Sequence, residues 1–268
     1  MKIKTTKLYN FIQKITMNGS INMILLESGE DGIFIKSKSL DNAGVGFGTL
    51  NSSAFDDYKS FGEIGLGDVG KLLRMLKTIT SEKTDIQIQG NHFVINGADG
   101  DVWGLPIMEK AFVDNYLEEI PKINFDDGVN IKSSIFKKSL VNKSIVNSSF
   151  INVQVKDNFL SINTNNEQSE YGIVKEECKY NDFKSVFGEV MDATISVLGN
   201  KVNMSCKDNY PIRFVEQTSD YSVSLVIAPI DNEEIERNKT KEVEEVKSEV
   251  EEVEKDGGTE AVWYFKPY

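Results

Sequence analysis

The chain has few of the residues from which metal centres, disulfide frameworks and acid–base catalysts are built. It contains two cysteines and one histidine among 268 residues. Two cysteines supply neither a disulfide framework nor a four-cysteine zinc site, and their scarcity fits a reducing compartment. The single histidine, His92, falls in a strand-like segment, where a surface or half-buried position is its ordinary role. The composition therefore predicts a protein with no cofactor, no metal and no histidine-based catalysis.

Long apolar runs and phosphate-binding glycine loops are missing as well. No segment is apolar over a length sufficient to span a bilayer, and no signal peptide is recognisable, so we expect a cytoplasmic protein without a membrane partner. Gly44, Gly46 and Gly48 lie within a strand-like run rather than at a strand-to-helix turn, which argues against a phosphate-binding loop. The sequence therefore does not predict an enzyme.

The negative charge of the chain is unevenly distributed. The net charge is −12, but residues 231–268 hold 13 acidic and 6 basic residues, a net charge of −7. The first 230 residues therefore carry only −5, and their bases are free to cluster. A protein that is acidic overall and basic in one region attracts a polyanion locally and repels it elsewhere.

The clearest single element is a helix predicted over residues 68–80. Its apolar residues recur at helical spacing and form one face. These residues are Val69, Leu72, Leu73, Leu76 and Ile79. The opposite face carries Lys71, Arg74 and Lys77 without an acid, and Asp68 stands where a carboxylate caps the first turn. One face is therefore suited to a core and the other to phosphate groups.

The order of the predicted elements repeats along the chain. Further helices are predicted over residues 4–17, 135–146 and 183–191, and strand-like runs separated by Gly and Asp/Asn turns lie between the helices. Helix, strands, helix and strands follow each other twice, with a period of about 120 residues. Residues 85–101 and 194–209 reinforce the repeat, because each is typical of a hairpin that turns at Gly-Asn.

This repeat predicts an α+β protein of two similar domains with antiparallel sheets. The first domain takes residues 1–108, and the second takes residues 128–230. Residues 109–127, which contain Pro121 and follow no clean periodicity, form a connector between them. Residues 231–268 form a flexible acidic tail.

Basic residues lie on all four predicted helices, away from their apolar faces, and acids are scarce there. The predicted set consists of Lys7, Lys14, Lys71, Arg74, Lys77, Lys137, Lys138, Lys143 and Lys184. The bases are spread along the helix faces without an aromatic or Asn/Gln set arranged to read base edges, so the pattern favours contact with phosphates over sequence-specific recognition.

Three segments, taken in order, resemble PCNA-type sliding clamps. Residues 32–60 are similar to the segment of those clamps that ends in a Phe-Asp-x-Tyr element, here Phe55, Asp56, Asp57 and Tyr58. Residues 63–77 are similar to the strand and lumen-facing helix that follow. Residues 209–230 are similar to the C-terminal hairpin of the family, which ends in an Ala-Pro pair. The sequence is similar to the clamps of tailed phages too, so a viral, archaeal or cellular source stays open.

The resemblance implies a ring of three identical two-domain subunits that encircles duplex DNA and slides along it. Helices would line the hole, with the nine bases facing DNA, and sheets would form the outer rim. The partners implied are DNA, a DNA polymerase, a clamp loader ATPase and further copies of the chain, at the replication site. Diffuse lysine–phosphate contacts are nearly equal at every register, so they permit sliding where base-specific contacts would stop it.

The resemblance also implies a pocket for partner peptides beneath the connector. Carried over by position, its residues are Lys38, Asn42, Ala43, Leu117, Ile120, Pro211, Val226, Ala228 and Pro229. Ile230 stands where a basic residue usually follows the Ala-Pro pair, and Val226 stands where an aromatic residue is common.

The acidic tail ends in a dense aromatic cluster, Val262, Trp263, Tyr264 and Phe265. An exposed apolar cluster at a chain end is typical of a docking peptide. Its target is either the clamp itself or an outside protein.

Interpretations other than a ring clamp stay open. One is a monomeric polymerase accessory protein of the same fold, held on DNA by charge. Another is a phage clamp that also acts as a transcription coactivator, and a third is a β-rich structural protein with no DNA role. Ring closure separates the clamp from the monomer, and salt-dependent DNA binding separates both from the structural protein.

Overall fold

The computed structural model describes residues 1–109, 111–113, 123–166 and 168–230, in which one element order occurs twice. The first copy contains β1 (Lys2–Lys4), α1 (Thr5–Ile15), β2 (Ile24–Ser28), β3 (Gly32–Lys38), β4 (Gly44–Asn51), a 3-10 turn (Ser52–Ala54), β5 (Gly62–Leu66), α2 (Val69–Thr78), β6 (Lys83–Gln89), β7 (His92–Gly97) and β8 (Val102–Met108). The second copy contains β9 (Val129–Lys132), α3 (Ser134–Ile145), β10 (Ile151–Lys156), β11 (Phe159–Asn165), β12 (Tyr171–Glu177), β13 (Phe183–Phe187), α4 (Glu189–Val197), β14 (Lys201–Ser205), β15 (Ile212–Gln217) and β16 (Tyr221–Ile227).

Both copies run strand, helix, four strands, helix and three strands, and every strand pairing is antiparallel. The predicted antiparallel α+β class is therefore confirmed. The structure joins Met1–Pro229 into one compact unit. The boundaries predicted for two separate domains, at residues 108 and 128, stay a prediction.

The two halves share a continuous twelve-stranded sheet with the order β1-β6-β7-β8-β5-β2-β3-β4-β16-β15-β14-β9. The junction between the halves is the β4–β16 pair, which runs from Gly44 opposite Ile227 to Leu50 opposite Tyr221. The remaining strands of the second half form a sheet with the order β12-β11-β10-β13.

The helices form a row in the order α2, α1, α4, α3, because α1 contacts both α2 and α4, and α4 contacts α3. The glycines of β4 let α1 lie directly on the junction. A Cβ at Gly46 would stand 2.2 Å from the carbonyl oxygen of Ile15, so only glycine fits there. The Gly44-x-Gly46-x-Gly48 run thus serves helix packing. No helix in the described ranges has the length and apolarity to cross a membrane.

The sequence interpretation of residues 183–198 is wrong. Phe183–Phe187 is strand β13, and the fourth helix is Glu189–Val197, which covers residues predicted as a strand. Phe183, Ser185 and Phe187 are buried alternately, so a period of two prevails over the helical spacing of the same apolar residues. Residues 194–209 are therefore no hairpin, and their likeness to residues 85–101 was coincidental.

Helix α3 buries a different face from the one predicted. Lys143, predicted to lie away from the apolar face, is buried, whereas Ile145 is 74% exposed and Val141 is 59% exposed. The buried side chains are Ile135, Phe136, Ser139 and Lys143. The apolar face was misplaced because an ion pair, described below, lets Lys143 occupy a buried position.

Candidate nucleic-acid interface and peptide groove

Helix α2 presents a row of three unpaired bases. Asp68 caps the helix, since its carboxylate accepts a hydrogen bond from the backbone N–H of Lys71 at 3.1 Å. The buried face packs into the core, which leaves Lys71, Arg74 and Lys77 exposed on the opposite side. None of these three makes an ion pair with any residue in the described ranges. They are therefore available to an external anion.

Helix α3, at the other end of the row, adds two more free bases. Lys137 and Lys138 are exposed and likewise form no ion pair with the part of the chain that the structure describes. The exposed positive charge of the helix row is thus concentrated at its two ends.

Three of the predicted bases, two on α1 in the middle of the row and Lys143 on α3 facing α4, are neutralised by acids, which the sequence interpretation did not foresee. Lys7 donates to Asp220 at 2.7 Å, Lys14 donates to Glu216 at 3.0 Å, and Lys143 pairs with Asp192. Lys14 and Lys143 are mostly buried. Because these acids lie far along the chain from Lys7 and Lys14, by 213 and 202 residues, the sequence gives no local sign of the pairs.

The prediction for Lys184 also changes. This residue lies on strand β13 instead of a helix, and its backbone N–H donates to Asp208 at 3.0 Å. The helix that does occupy this part of the row, α4, contains no base and carries Glu189 and Asp192 in its first turn. Of the nine predicted bases, Lys71, Arg74, Lys77, Lys137 and Lys138 are the helix-borne cations that form no ion pair with the described residues.

Glu216 is the hub of a buried network beside the junction between the halves. It accepts hydrogen bonds from Lys14 Nζ, from the backbone N–H of Gly199 at 2.8 Å and from the Tyr221 hydroxyl. Burial, reinforced by the Glu216 carboxylate, raises the pKa of Tyr221 far above its ordinary value. Tyr221 therefore stays a neutral donor, and Lys14 supplies the positive charge that balances Glu216.

Glu216→Ala is expected to destabilise the folded protein by about 3 kcal/mol, because it leaves the mostly buried Lys14 ammonium without a counter-charge, with only the Val197 carbonyl as its hydrogen-bond partner at 2.6 Å. Chemical denaturation at a fixed protein concentration measures the loss. Asp56→Asn, which breaks the exposed Asp56–Lys83 pair, is the control and should leave the denaturation midpoint nearly unchanged. Equal effects of the two variants would contradict the assigned role of the network.

A groove of about 280 Å³ lies on the sheet side of the molecule, at the junction between the halves. Its lining residues are Lys38, Asn42, Val45, Ile123, Pro211, Val226 and Ala228. Five of them belong to the set predicted from the family resemblance. Ala43 is a sixth member of that set. Its backbone carbonyl accepts a hydrogen bond from the backbone N–H of the lining residue Ala228 at 2.8 Å, so Ala43 lies next to the groove. Pro229 follows Ala228 in a half-buried position, and Leu117 and Ile120 lie outside the described residues.

The loop between β3 and β4 has a fixed shape that aims Asn42 into the groove. Asp41 accepts from the Ser39 hydroxyl at 2.5 Å and from the Ala43 backbone at 3.0 Å. Asn42 has a φ of 59°, a left-handed conformation that asparagine tolerates better than most residues. The same loop holds Leu40 outward, where it is 82% exposed.

Two lining residues were missed at the sequence level, Val45 and Ile123. Ile123 is held in place because the neighbouring Phe125 packs on β15 and the loop before it. The Phe125 ring lies 4.6 Å from the Arg213 guanidinium and meets the Tyr210 ring edge-on at 6.0 Å. The alternation of Ile123 and Phe125 was the available signal, but it lay in a segment that had been assigned to the connector.

Two strand edges of the described structure carry exposed apolar residues. Strand β12 pairs only with β11, and its Tyr171 is 71% exposed. Strand β8 pairs with β5 only at Ile107 and Met108, so its remaining residues have one open edge. Val102, on that open part, is 66% exposed. Unpaired apolar edges of this kind are templates for pairing with another chain.

No protein-family model and no curated protein sequence matches this chain. Several solved structures, however, match the chain over most of its length. A. fulgidus PCNA, solved with the C-terminal region of FEN-1 bound, has 14% identity and a TM-score of 0.71, over 86% of this chain and 98% of that one. The chain has the PCNA sliding-clamp fold.

Two further PCNA structures agree with this assignment. PCNA from Thermococcus kodakaraensis matches with 17% identity and a TM-score of 0.70, over 85% of this chain and 99% of its own. PCNA from Entamoeba histolytica matches with 14% identity and a TM-score of 0.68, over 86% of this chain and 98% of its own. The sliding-clamp fold therefore covers residues up to the tail, and the aromatic cluster at 262–265 lies outside the described residues.

Proposed function

We propose that the protein is a DNA sliding clamp, a non-enzymatic ring of three chains that encircles duplex DNA and tethers a DNA polymerase and other replication proteins. A clamp loader ATPase would open the ring. The observation that carries the proposal is the internal repeat. It relates the β4–β16 junction inside the chain to the two open strand edges, on β8 and β12.

The repeat makes β12 the counterpart of β4 and β8 the counterpart of β16. Within the chain β4 pairs with β16, and α1 lies against α4 beside that junction. Applying the same relation between chains pairs β12 of one copy with β8 of the next, and sets α3 against α2. Each chain has one open β12 edge and one open β8 edge, so head-to-tail pairing would close a ring where the rotation between neighbouring chains returns to the first chain.

The exposed apolar residues fit this assignment. Tyr171 and Ile173 lie on β12, Val102 lies on β8, and Val141 and Ile145 lie on the helix beside β12. Pairing buries these residues and removes two edges that would otherwise promote aggregation. The same arrangement continues the helix row around the hole, with the free bases of α2 and α3 adjacent at each boundary between chains.

Phosphate contacts from those bases would hold the ring coaxial with DNA without fixing it at any sequence. The groove on the sheet side, away from the helix row, would bind short hydrophobic peptides of partner proteins. The bound FEN-1 segment in the A. fulgidus structure supports this use of the same fold. The chain then acts as a moving platform and performs no chemistry of its own.

A threading experiment tests topological binding without needing a polymerase or a loader. Linear duplex DNA is fixed to beads at one end, and its free end is capped with biotin and streptavidin either before or after the protein is added. The beads are then washed at about 1 M salt, where the Debye length is about 3 Å and charge contacts are screened. A closed ring should be retained only when the cap is added after the protein.

Two outcomes would contradict the ring. Loss of the protein whatever the order of capping would favour a monomer held on DNA by charge. Retention that does not depend on the cap would indicate ordinary, non-topological binding. Light scattering provides the accompanying check, with an expected mass about three times the 30.1 kDa of the chain.

A further inference from the structure

We propose that the aromatic cluster at residues 262–265 of this chain occupies the peptide groove of its own ring, so that partner proteins must displace it. The inference rests on the proposed function of the groove as the partner site. It commits to one occupant, the chain's own C-terminal segment, and makes recruitment of an outside protein the competing outcome.

The groove suits a short aromatic peptide. Val45, Ile123, Pro211, Val226 and Ala228 give it an apolar lining, while Lys38 and Asn42 supply polar groups at one side. Its volume of about 280 Å³ is close to the lower bound of roughly 300 Å³ for small-ligand pockets. It therefore holds one or two large side chains rather than a long segment, and the tail carries three aromatic residues in a row at positions 263–265.

The tail begins beside the groove. Ala228 lines the wall, and its backbone N–H is bonded to Ala43 on the opposite loop at 2.8 Å. The described chain ends two residues later, at Ile230. The start of the tail is thereby fixed at the rim of the proposed target.

The length of the tail is sufficient for return. Residues 231–261 provide a linker of 31 residues between Ile230 and Val262. A flexible chain of that length has a mean span of roughly 30 Å, which reaches the groove of the same subunit or of the next. Tethering at this distance gives an effective concentration on the order of 1 mM, so a peptide with a Kd of about 100 µM would be bound about nine-tenths of the time.

The charge of the tail favours the sheet side over the hole. Residues 231–261 contain 13 acids and 5 bases. This segment is repelled by DNA phosphates, so a tail threaded into a DNA-filled hole would be unfavourable. Docking in the groove keeps the acidic linker outside and removes the aromatic cluster from water.

Self-docking would set a threshold for partners. The apparent affinity of a competing peptide falls in proportion to the fraction of grooves that are free, which here is roughly one-tenth. A partner that binds strongly, or through several contacts, displaces the tail, and a weak or accidental apolar peptide does not.

The test uses full-length chains and a fluorescent synthetic peptide of residues 259–268 as the probe. Its anisotropy is measured against the unaltered chain and against a chain carrying Trp263→Ala, Tyr264→Ala and Phe265→Ala. The substituted chain has a free groove and is expected to bind the probe about tenfold more tightly. Val250→Ala with Val253→Ala, in the linker, is the matched control and should bind like the unaltered chain.

Groove variants locate the binding. Ala228→Asp and, separately, Asn42→Asp are added to the tail-substituted chain, and each should weaken probe binding at least tenfold. Asn42→Asp keeps the side-chain size and suits the left-handed backbone, so it remains informative if Ala228→Asp does not fold. Circular dichroism and light scattering confirm fold and mass for each chain.

Three results would overturn self-docking. Equal probe affinity for the unaltered and tail-substituted chains would assign the tail to an outside protein. Absence of probe binding to the tail-substituted chain would remove the groove as a target, and binding unchanged by both groove variants would place the site elsewhere. The assay involves neither DNA nor ring closure, so a failure in the threading experiment remains distinguishable from a failure here.

Discussion

Val141→Glu combined with Ile145→Glu is expected to convert the proposed ring into single chains of 30.1 kDa. Both side chains lie on α3 and are 59% and 74% exposed in the isolated chain, so glutamate costs little there. Burying a Val or Ile side chain contributes about 1.5–3 kcal/mol, and a buried, unpaired carboxylate reverses the sign of that contribution. Since a closed ring repeats this packing at every boundary, the destabilisation accumulates around it.

Light scattering across a dilution series measures the effect, and circular dichroism verifies that the chain stays folded. Leu40→Glu is the matched control, because Leu40 is 82% exposed but lies on the β3–β4 loop, away from both open edges. The control should keep the mass of the unaltered protein. If the α3 variant also keeps that mass, α3 does not contribute to the boundary between chains.

Local patterns in the sequence were sufficient for most of the fold. The helix predicted over residues 68–80 is observed at Val69–Thr78, and the one over 4–17 is observed at Thr5–Ile15. Both have long apolar faces and clear ends, so local spacing decides them. The helix predicted at Phe183–Phe187 was wrong because five residues satisfy a period of two and a helical period equally well.

The charge of the helix row could not be predicted in the same way. Counting the basic residues of the predicted helices gave nine equivalent bases, but Lys14 and Lys143 are buried against acids contributed by other elements. Glu216 reaches Lys14 across the junction between the halves, and Asp192 reaches Lys143 from the neighbouring helix α4, so neither pair is visible in the local sequence. The groove could be predicted although its residues come from distant elements. Lys38 and Pro211 both line it, and the family resemblance, rather than their spacing, predicted that they share one site.

Lys71→Gln, Arg74→Gln and Lys77→Gln together are expected to give the largest decrease in DNA binding available from one helix. These side chains are exposed, form no ion pair within the described ranges and lie on the face of α2 opposite its buried residues. Each neutralised phosphate contributes about 0.9 to the slope of log K against log salt concentration. The slope should therefore flatten by roughly one unit for each phosphate that is no longer neutralised, and less protein should thread onto the free DNA end at low salt, before the high-salt wash.

The matched control removes the same charge from the outer face of the sheets. Lys132→Gln, Lys156→Gln and Lys201→Gln alter exposed lysines on β9, β10 and β14 whose buried neighbours Ile131, Val155 and Val202 face the core. The mass of the assembled protein should be unchanged in both triple variants. Since net charge is equal in the two, a greater decrease in DNA binding for the α2 variant measures position alone, and identical salt slopes would mean that α2 does not face DNA.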